Sequence, residues 1–309
     1  MNRAFIFPGQ GSQKVGMCIE LYQNFLVAAR VFDEVDDALS FKLSDIIFNG
    51  PDADLTQTYN TQPALMACSI ALLKVTEEIC GKKINELCSV VAGHSLGQYS
   101  ALCAVGAISI SDCARILRQR GLFMNEASPE GEGAMAAVIG ADHAKLNDII
   151  NHAAKEGVCE IANDNSKDQI VISGSNTAIE RAILLFKESG IKAIRLNVSA
   201  PFHSSLMAPA AERMKEVIVN AKFTMPTLPV IDNVSVEITS DVDFIKQRLI
   251  EQISGTIRWS ETMDIIASDY SSVYEMGPGK VLTNLFNRSY PNFLAKAVNS
   301  AEDINQLLM

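Results

Sequence analysis

Residues 87–107 read LCSVVAGHSLGQYSALCAVGA: a short valine-rich run, a glycine-flanked turn and a small, almost wholly apolar run in succession. The first run has the texture of a strand buried on both faces of a parallel sheet. The last has that of a helix packed inside a domain. Between them Gly93-His94-Ser95-Leu96-Gly97 is a G-x-S-x-G in strand–turn–helix context, which makes it a candidate nucleophile elbow. Its glycines permit a sharp turn and a close approach of strand to helix, so the Ser95 hydroxyl projects at a helix N-terminus. Negative charge is favoured there by unbonded N–H groups and the helix dipole, and the Leu96 N–H is the nearest donor for an oxyanion. The competing reading is a βα turn in which Ser95 is only a helix cap.

Around this stretch the composition is that of a globular protein: 309 residues, 48% hydrophobic and 20% charged, enough for one large domain with an insertion or for two domains. A net charge of −10 disfavours nucleic acid as a partner, and an acidic partner would need a local basic patch, for which Lys187, Arg195, Lys280 and Arg288 are placed. Seven cysteines without a C-x-x-C pair, mostly in apolar segments, read as buried thiols in a reducing compartment, and no metal site is expected. No apolar run approaches a membrane span, and Pro8 interrupts the N-terminus too early for a signal peptide. These features predict a cytoplasmic protein that does not enter a membrane.

Strand 4–7 leads into the loop Pro8-Gly9-Gln10-Gly11-Ser12-Gln13. Lys14 stands where a dinucleotide fingerprint needs its third glycine, and no G-K-[ST] follows, so the loop is better used to offer a backbone N–H to the neighbouring elbow. A helix is predicted from 62 or 63 to 80, with Thr61 as cap and Pro63 in the first turn. Helix 109–126 opens on Ser109-x-x-Asp112, and its apolar stripe of Cys113, Ile116, Leu117 and Met124 includes Arg120. A buried arginine needs a partner. Arg120 either snorkels or pairs with a structural acid, or it grips a ligand carboxylate through two parallel N–H···O bonds.

After the linker 129–133 come strand 134–139, helix 142–156, strands 158–163 and 170–174, helix 177–189 capped by Thr177-x-x-Glu180, and strand 191–198. That β-α-β-β-α-β order is ferredoxin-like and closes on itself. The α/β alternation then resumes, so residues 129–199 read as a small domain inserted into a mostly parallel α/β domain formed by 1–128 and 200–309. Of four histidines, His94 should point away from Ser95, while His143 and His152 look like surface residues of the insertion. His203 sits where the chain re-enters the main domain and is the best candidate base. Asp232 falls in the wrong order for a hydrolase acid, so the group that orients the imidazole is left to a backbone carbonyl.

FPGQGSQ at 7–13, TQPAL at 61–65, GHSLGQYSA at 93–101, RGLFM at 120–124, GAMAAVIG at 133–140, PFHSSLM at 201–207 and GPGKVL at 277–282 run in order across nearly the whole chain. Together they resemble the malonyl-CoA:acyl carrier protein transacylase family. The resemblance implies an α/β-hydrolase-like main domain with a ferredoxin-like insertion. It implies Ser95 as nucleophile, His203 as base, Arg120 as the clamp for the malonyl carboxylate, the N–H groups of Gln10 and Leu96 as oxyanion hole, and the Gln252 carbonyl as acceptor for the histidine. Phe202, beside His203, would narrow the acyl pocket. The implied activity is transfer of malonyl from malonyl-CoA to the phosphopantetheine thiol of acyl carrier protein, supplying fatty acid synthesis, by a monomer without a cofactor. Two departures stand out: Gln98 where the family usually has glutamate, and Asn163-Asp-Asn-Ser-Lys-Asp168 where it has an N-x-N-S-P-G turn. Neither is expected to touch the chemistry. A serine thioesterase, or a catalytically dead acyl- or nucleotide-binding module, are the alternatives.

Overall fold

The computed structural model describes residues 2–129, 131–198 and 200–308; Glu130 of the linker and Ser199 at the end of the insertion lie outside them. In chain order the described strands are β1 (Arg3–Phe7), β2 (Val90–Gly93), β3 (Gly133–Ile139), β4 (Cys159–Ser166), β5 (Gln169–Ser175), β6 (Lys192–Arg195), β7 (Val230–Ile231), β8 (Ile238–Thr239), β9 (Ile257–Arg258), β10 (Ser272–Met276) and β11 (Leu294–Val298). One sheet runs β11-β10-β1-β2-β7-β8, parallel except for β8. Strands β1 and β2 inside it are apolar at consecutive positions because both faces are covered, whereas β10 carries the buried Glu275. On β1, Phe5 and Phe7 enter one core layer while Ala4 and Ile6 enter the other.

The second sheet runs β6-β3-β5-β4-β9. Along the chain its first four strands and two helices follow the expected β-α-β-β-α-β order. Strand β3 alternates as a half-shared sheet must: Ala134, Ala136 and Val138 face the helices of this unit, and Met135 and Ala137 join the large core. The fifth strand was not legible. Ile257 and Arg258, from the returning chain, pair in parallel with Asn163 and Asp164, and Thr256 Oγ1 donates to the Ile161 carbonyl at 2.7 Å. Two residues carry no periodicity to read.

Two helix starts also differ from the sequence reading. The helix Thr58–Cys80 begins before Thr61 and carries Pro63 inside it. Pro63 has no N–H for the Tyr59 carbonyl four residues back, and Arg118 Nη1 donates to that oxygen instead, at 3.1 Å. The helix Asn176–Glu188 encloses Thr177, and its entry is fixed by the Asn176 N–H donating to the Glu132 carbonyl at 2.7 Å. By contrast, Ser109 caps Ile110–Glu126 as expected, accepting from the Asp112 N–H at 3.0 Å. All seven cysteines are free thiols, five of them buried. No helix among the described residues is long and apolar enough to cross a membrane.

Candidate active site

The end of β2 and the start of the helix Leu96–Ala104 nearly touch: a Cβ on Gly93 would stand 1.9 Å from the Gly97 carbonyl oxygen. Ser95 between them adopts φ 53° and ψ −111°, a region that costs a non-glycine residue about 1–3 kcal/mol. Surrounding bonds hold it there. The Ser95 N–H donates to Asn233 Oδ1 at 2.9 Å, Asn233 Nδ2 donates to the Gly93 carbonyl at 2.9 Å, and Gln252 Nε2 donates to the Ser95 carbonyl at 3.1 Å. The Gly97 and Gln98 N–H groups are taken by the carbonyls of His94 and Ser95. The Leu96 N–H, first in the helix, has no intrahelical acceptor.

His203 Nε2 lies 2.8 Å from Ser95 Oγ, and Nδ1 lies 2.7 Å from the Gln252 carbonyl oxygen. A carbonyl accepts only, so Nδ1 carries the proton and Nε2 is left to receive one from the hydroxyl. His203 is 5% exposed. Burial, reinforced by the charge of Arg120, pushes its pKa down to about 3, which keeps it neutral near pH 7.

From the helix Ile110–Glu126, Arg120 reaches the same hydroxyl. Nη2 donates to Ser95 Oγ at 3.1 Å and to Gln252 Oε1 at 3.0 Å, and Nη1 donates to Gln62 Oε1 at 2.8 Å. Gly121 lets this helix come close enough to Thr58–Cys80, since a Cβ there would stand 2.4 Å from the Tyr59 Cα. Arg120 is 1% exposed, and its guanidinium lies over the Tyr99 ring, 5.4 Å from its centre. Among the described residues its hydrogen-bond partners are all neutral, and its buried Nε–H has none. A guanidinium does not lose its proton in a protein, so a whole positive charge stands beside the hydroxyl.

Ser95, His203, Arg120 and Gln62 line a cleft of about 860 Å³, together with Gln10 from the loop after β1, Leu96 and Phe202. His94 turns away as expected, with Nε2 2.8 Å from Asn165 Oδ1 of β4. Asp232 is no partner of His203: its Oδ1 accepts from Val234 and Ser235, and its Oδ2 from Gln98 Nε2 at 3.3 Å. His152 is exposed, and the His143 side chain lies outside what is described. Of the four basic residues singled out in the sequence, Arg195 lines the cleft and pairs with Glu180 at 3.4 Å, while Lys187, Lys280 and Arg288 lie on the exposed surface. Sequence reasoning missed Gln62 and Asn233. It also set Gln98 aside, whereas Gln98 Oε1 accepts from Gln252 Nε2 at 2.8 Å and so belongs to the network behind the hydroxyl. The available signal was Asn233's place after a strand at the carboxyl end of a parallel sheet, where sites collect.

A hydroxyl facing a neutral imidazole, at the N-terminus of a helix, is the apparatus of acyl transfer. Residues 4–306 match the acyl transferase domain family. The malonyl CoA-acyl carrier protein transacylase of Bacillus subtilis (strain 168) is 46% identical over 304 residues, covering 97% of this chain and 94% of that protein. The solved acyl-carrier-protein-S-malonyltransferase from Bartonella henselae superposes with a TM-score of 0.97 at 49% identity, covering 100% of this chain and 98% of that one. A malonyl-transacylase solved in complex with its type II PKS acyl-carrier protein superposes with a TM-score of 0.94 at 38% identity, covering 100% and 99%. The chain belongs to the malonyl-CoA:acyl carrier protein transacylases of the acyl transferase domain family.

Proposed function

We propose that this acyltransferase moves the malonyl group of malonyl-CoA to the phosphopantetheine thiol of acyl carrier protein through a malonyl-serine intermediate, supplying fatty acid synthesis. The observation that carries the reading is the Arg120 guanidinium 3.1 Å from Ser95 Oγ, which has no counter-ion among the described residues. A buried charge without a counter-ion is strongly unfavourable, and a carboxylate on the acyl group would satisfy it. Because the charge sits so close to the hydroxyl, it suits a short diacid, whose carboxylate is two carbons from the reacting carbonyl.

In the first half-reaction His203 Nε2 takes the Ser95 proton as Oγ attacks the thioester carbon. The N–H groups of Gln10 and Leu96 receive the oxyanion. The C–S bond then breaks, and the departing sulfur leaves with the proton from His203 as coenzyme A. The carrier thiol runs the same steps in reverse order, returning the proton to Ser95. The Gln252 carbonyl holds the imidazole in the required tautomer, so no acid is needed. Phe202 narrows the pocket against branched acyl chains. The architecture supports an α/β-hydrolase-like main domain, 1–128 and 200–309, with a ferredoxin-like insertion at 129–199 that receives β9. We place the enzyme in the cytoplasm as a monomer with no cofactor.

The test follows the acyl group. Protein mixed with labelled malonyl-CoA and holo carrier protein should pass label to the carrier, whereas release chiefly as free malonate would make the chain a thioesterase.

The state of His203 sets the pH dependence. With its pKa near 3 in the free enzyme, kcat/KM for acylation should hold its plateau as pH falls through 6.5 to about 5. An acid limb centred near 6.5 would contradict this. Stability runs the other way. The unfolded chain binds a proton at an ordinary histidine pKa and the folded chain does not, so this contribution is complete above about 6.5 and is lost as pH falls towards 3.

A further inference from the structure

Hydrogen-bond roles around Arg120 are over-determined. The Asp232 carboxylate fixes which end of Gln98 donates, and the Ser95 N–H fixes Asn233 Oδ1 as an acceptor. Gln252 Nε2 then faces three acceptors, the Ser95 carbonyl at 3.1 Å, Gln98 Oε1 at 2.8 Å and Asn233 Oδ1 at 3.0 Å, so its Oε1 is the end that meets Arg120. Gln62 is likewise fixed: its Nε2 points to Met124 Sδ at 3.9 Å, and the reverse orientation would set donor against donor at Arg120. The Asp232 carboxylate is therefore kept two amides away from the guanidinium. Buried arginines are ordinarily matched by acids, and here both side-chain carbonyls that grip the fork are uncharged.

We infer that Gln62 and Gln252 are specificity-determining residues: by gripping Arg120 through neutral amide oxygens, they reserve its charge for a carboxylate on the acyl group. This rests on the malonyl-transfer reading above. A glutamate at either position would supply the counter-ion from within, and a malonyl carboxylate entering beside it would meet like charge. Such a cleft would suit acyl groups without a carboxylate. Gln252 is the poorer place to test this, because its amide also serves three acceptors around Ser95. Gln62 makes the cleaner test.

The experiment measures acylation by malonyl-CoA and by acetyl-CoA for wild type, Gln62→Glu and Gln62→Met. Wild type should label with malonyl, and if it does not, the underlying reading fails irrespective of Gln62. Gln62→Glu should lower the malonyl-to-acetyl ratio of kcat/KM by roughly a hundredfold or more, since like-charge juxtaposition costs several kcal/mol. It should also move the acid limb of the acetyl reaction upward, because the Arg120 charge, which adds to burial in holding down the His203 pKa, is now offset. Gln62→Met removes the acceptor without adding charge, so both rates should fall with the ratio kept in favour of malonyl. A merely structural Gln62 would give the same ratio in all three proteins, and that result, in folded Gln62→Glu with wild type active, would overturn the inference. Should Gln62→Glu not fold, Gln62→Asp sets a shorter carboxylate toward the same fork and is read in the same way.

Discussion

Ser95→Ala should take up no malonyl from malonyl-CoA, and His203→Ala should take it up slower than wild type by about four to six orders of magnitude. The double variant should be hardly worse than Ser95→Ala. The reason is geometric. The hydroxyl is a weak nucleophile whose proton has, among the described residues, one nearby basic acceptor, the Nε2 of His203 at 2.8 Å, so losing either member loses the same proton transfer. Rapid-quench labelling of the folded variants measures it. Labelling of His203→Ala at close to the wild-type rate would mean that the two side chains do not act as a unit, and full labelling of Ser95→Ala would place the acyl group elsewhere.

The second large effect is on choice of acyl group. Arg120→Ala strands the malonyl carboxylate in a buried cleft, and breaking such a pair costs about 3–5 kcal/mol. At about 1.4 kcal/mol per factor of ten, acylation by malonyl-CoA should fall roughly a hundredfold to a few thousandfold. Acetyl-CoA has no such group to pair, so its reaction should be unchanged or improved. The variant should also raise the His203 pKa, since the guanidinium charge is one of the causes holding it down. An Arg120 that serves only to hold Gln62 and Gln252 in place would instead slow both thioesters alike and leave their ratio untouched.

What the sequence disclosed was what neighbouring residues encode. The elbow was readable because a valine-rich strand, two glycines and a small-residue helix lie within one short run. Arg120 was readable because a charge on an apolar helical stripe is conspicuous whatever it pairs with. His203 emerged by elimination among four histidines, at a junction between domains. The Gln252 carbonyl had no local signature, since any residue carries one; it entered only through resemblance. Asn233 and Gln62 act through approaches that no window of sequence contains: Asn233 meets Ser95 across 138 positions, and Gln62 meets Arg120 across 58. In the sequence Gln98 stands out only as a missing charge beside a helix. Its importance lies in what it passes on, since it orients the Gln252 amide that faces the guanidinium.

In this mechanism the acyl group rests on Ser95 between two thiols. The intact mass of the protein mixed with malonyl-CoA, followed by peptide mapping and then by addition of holo carrier protein, addresses it most directly. The mass should rise by one malonyl group, the modification should map to Ser95, and it should vanish as malonyl-carrier appears. A protein that passes malonyl to the carrier while Ser95 stays unmodified at every time sampled, or an adduct that the carrier does not discharge, would contradict it.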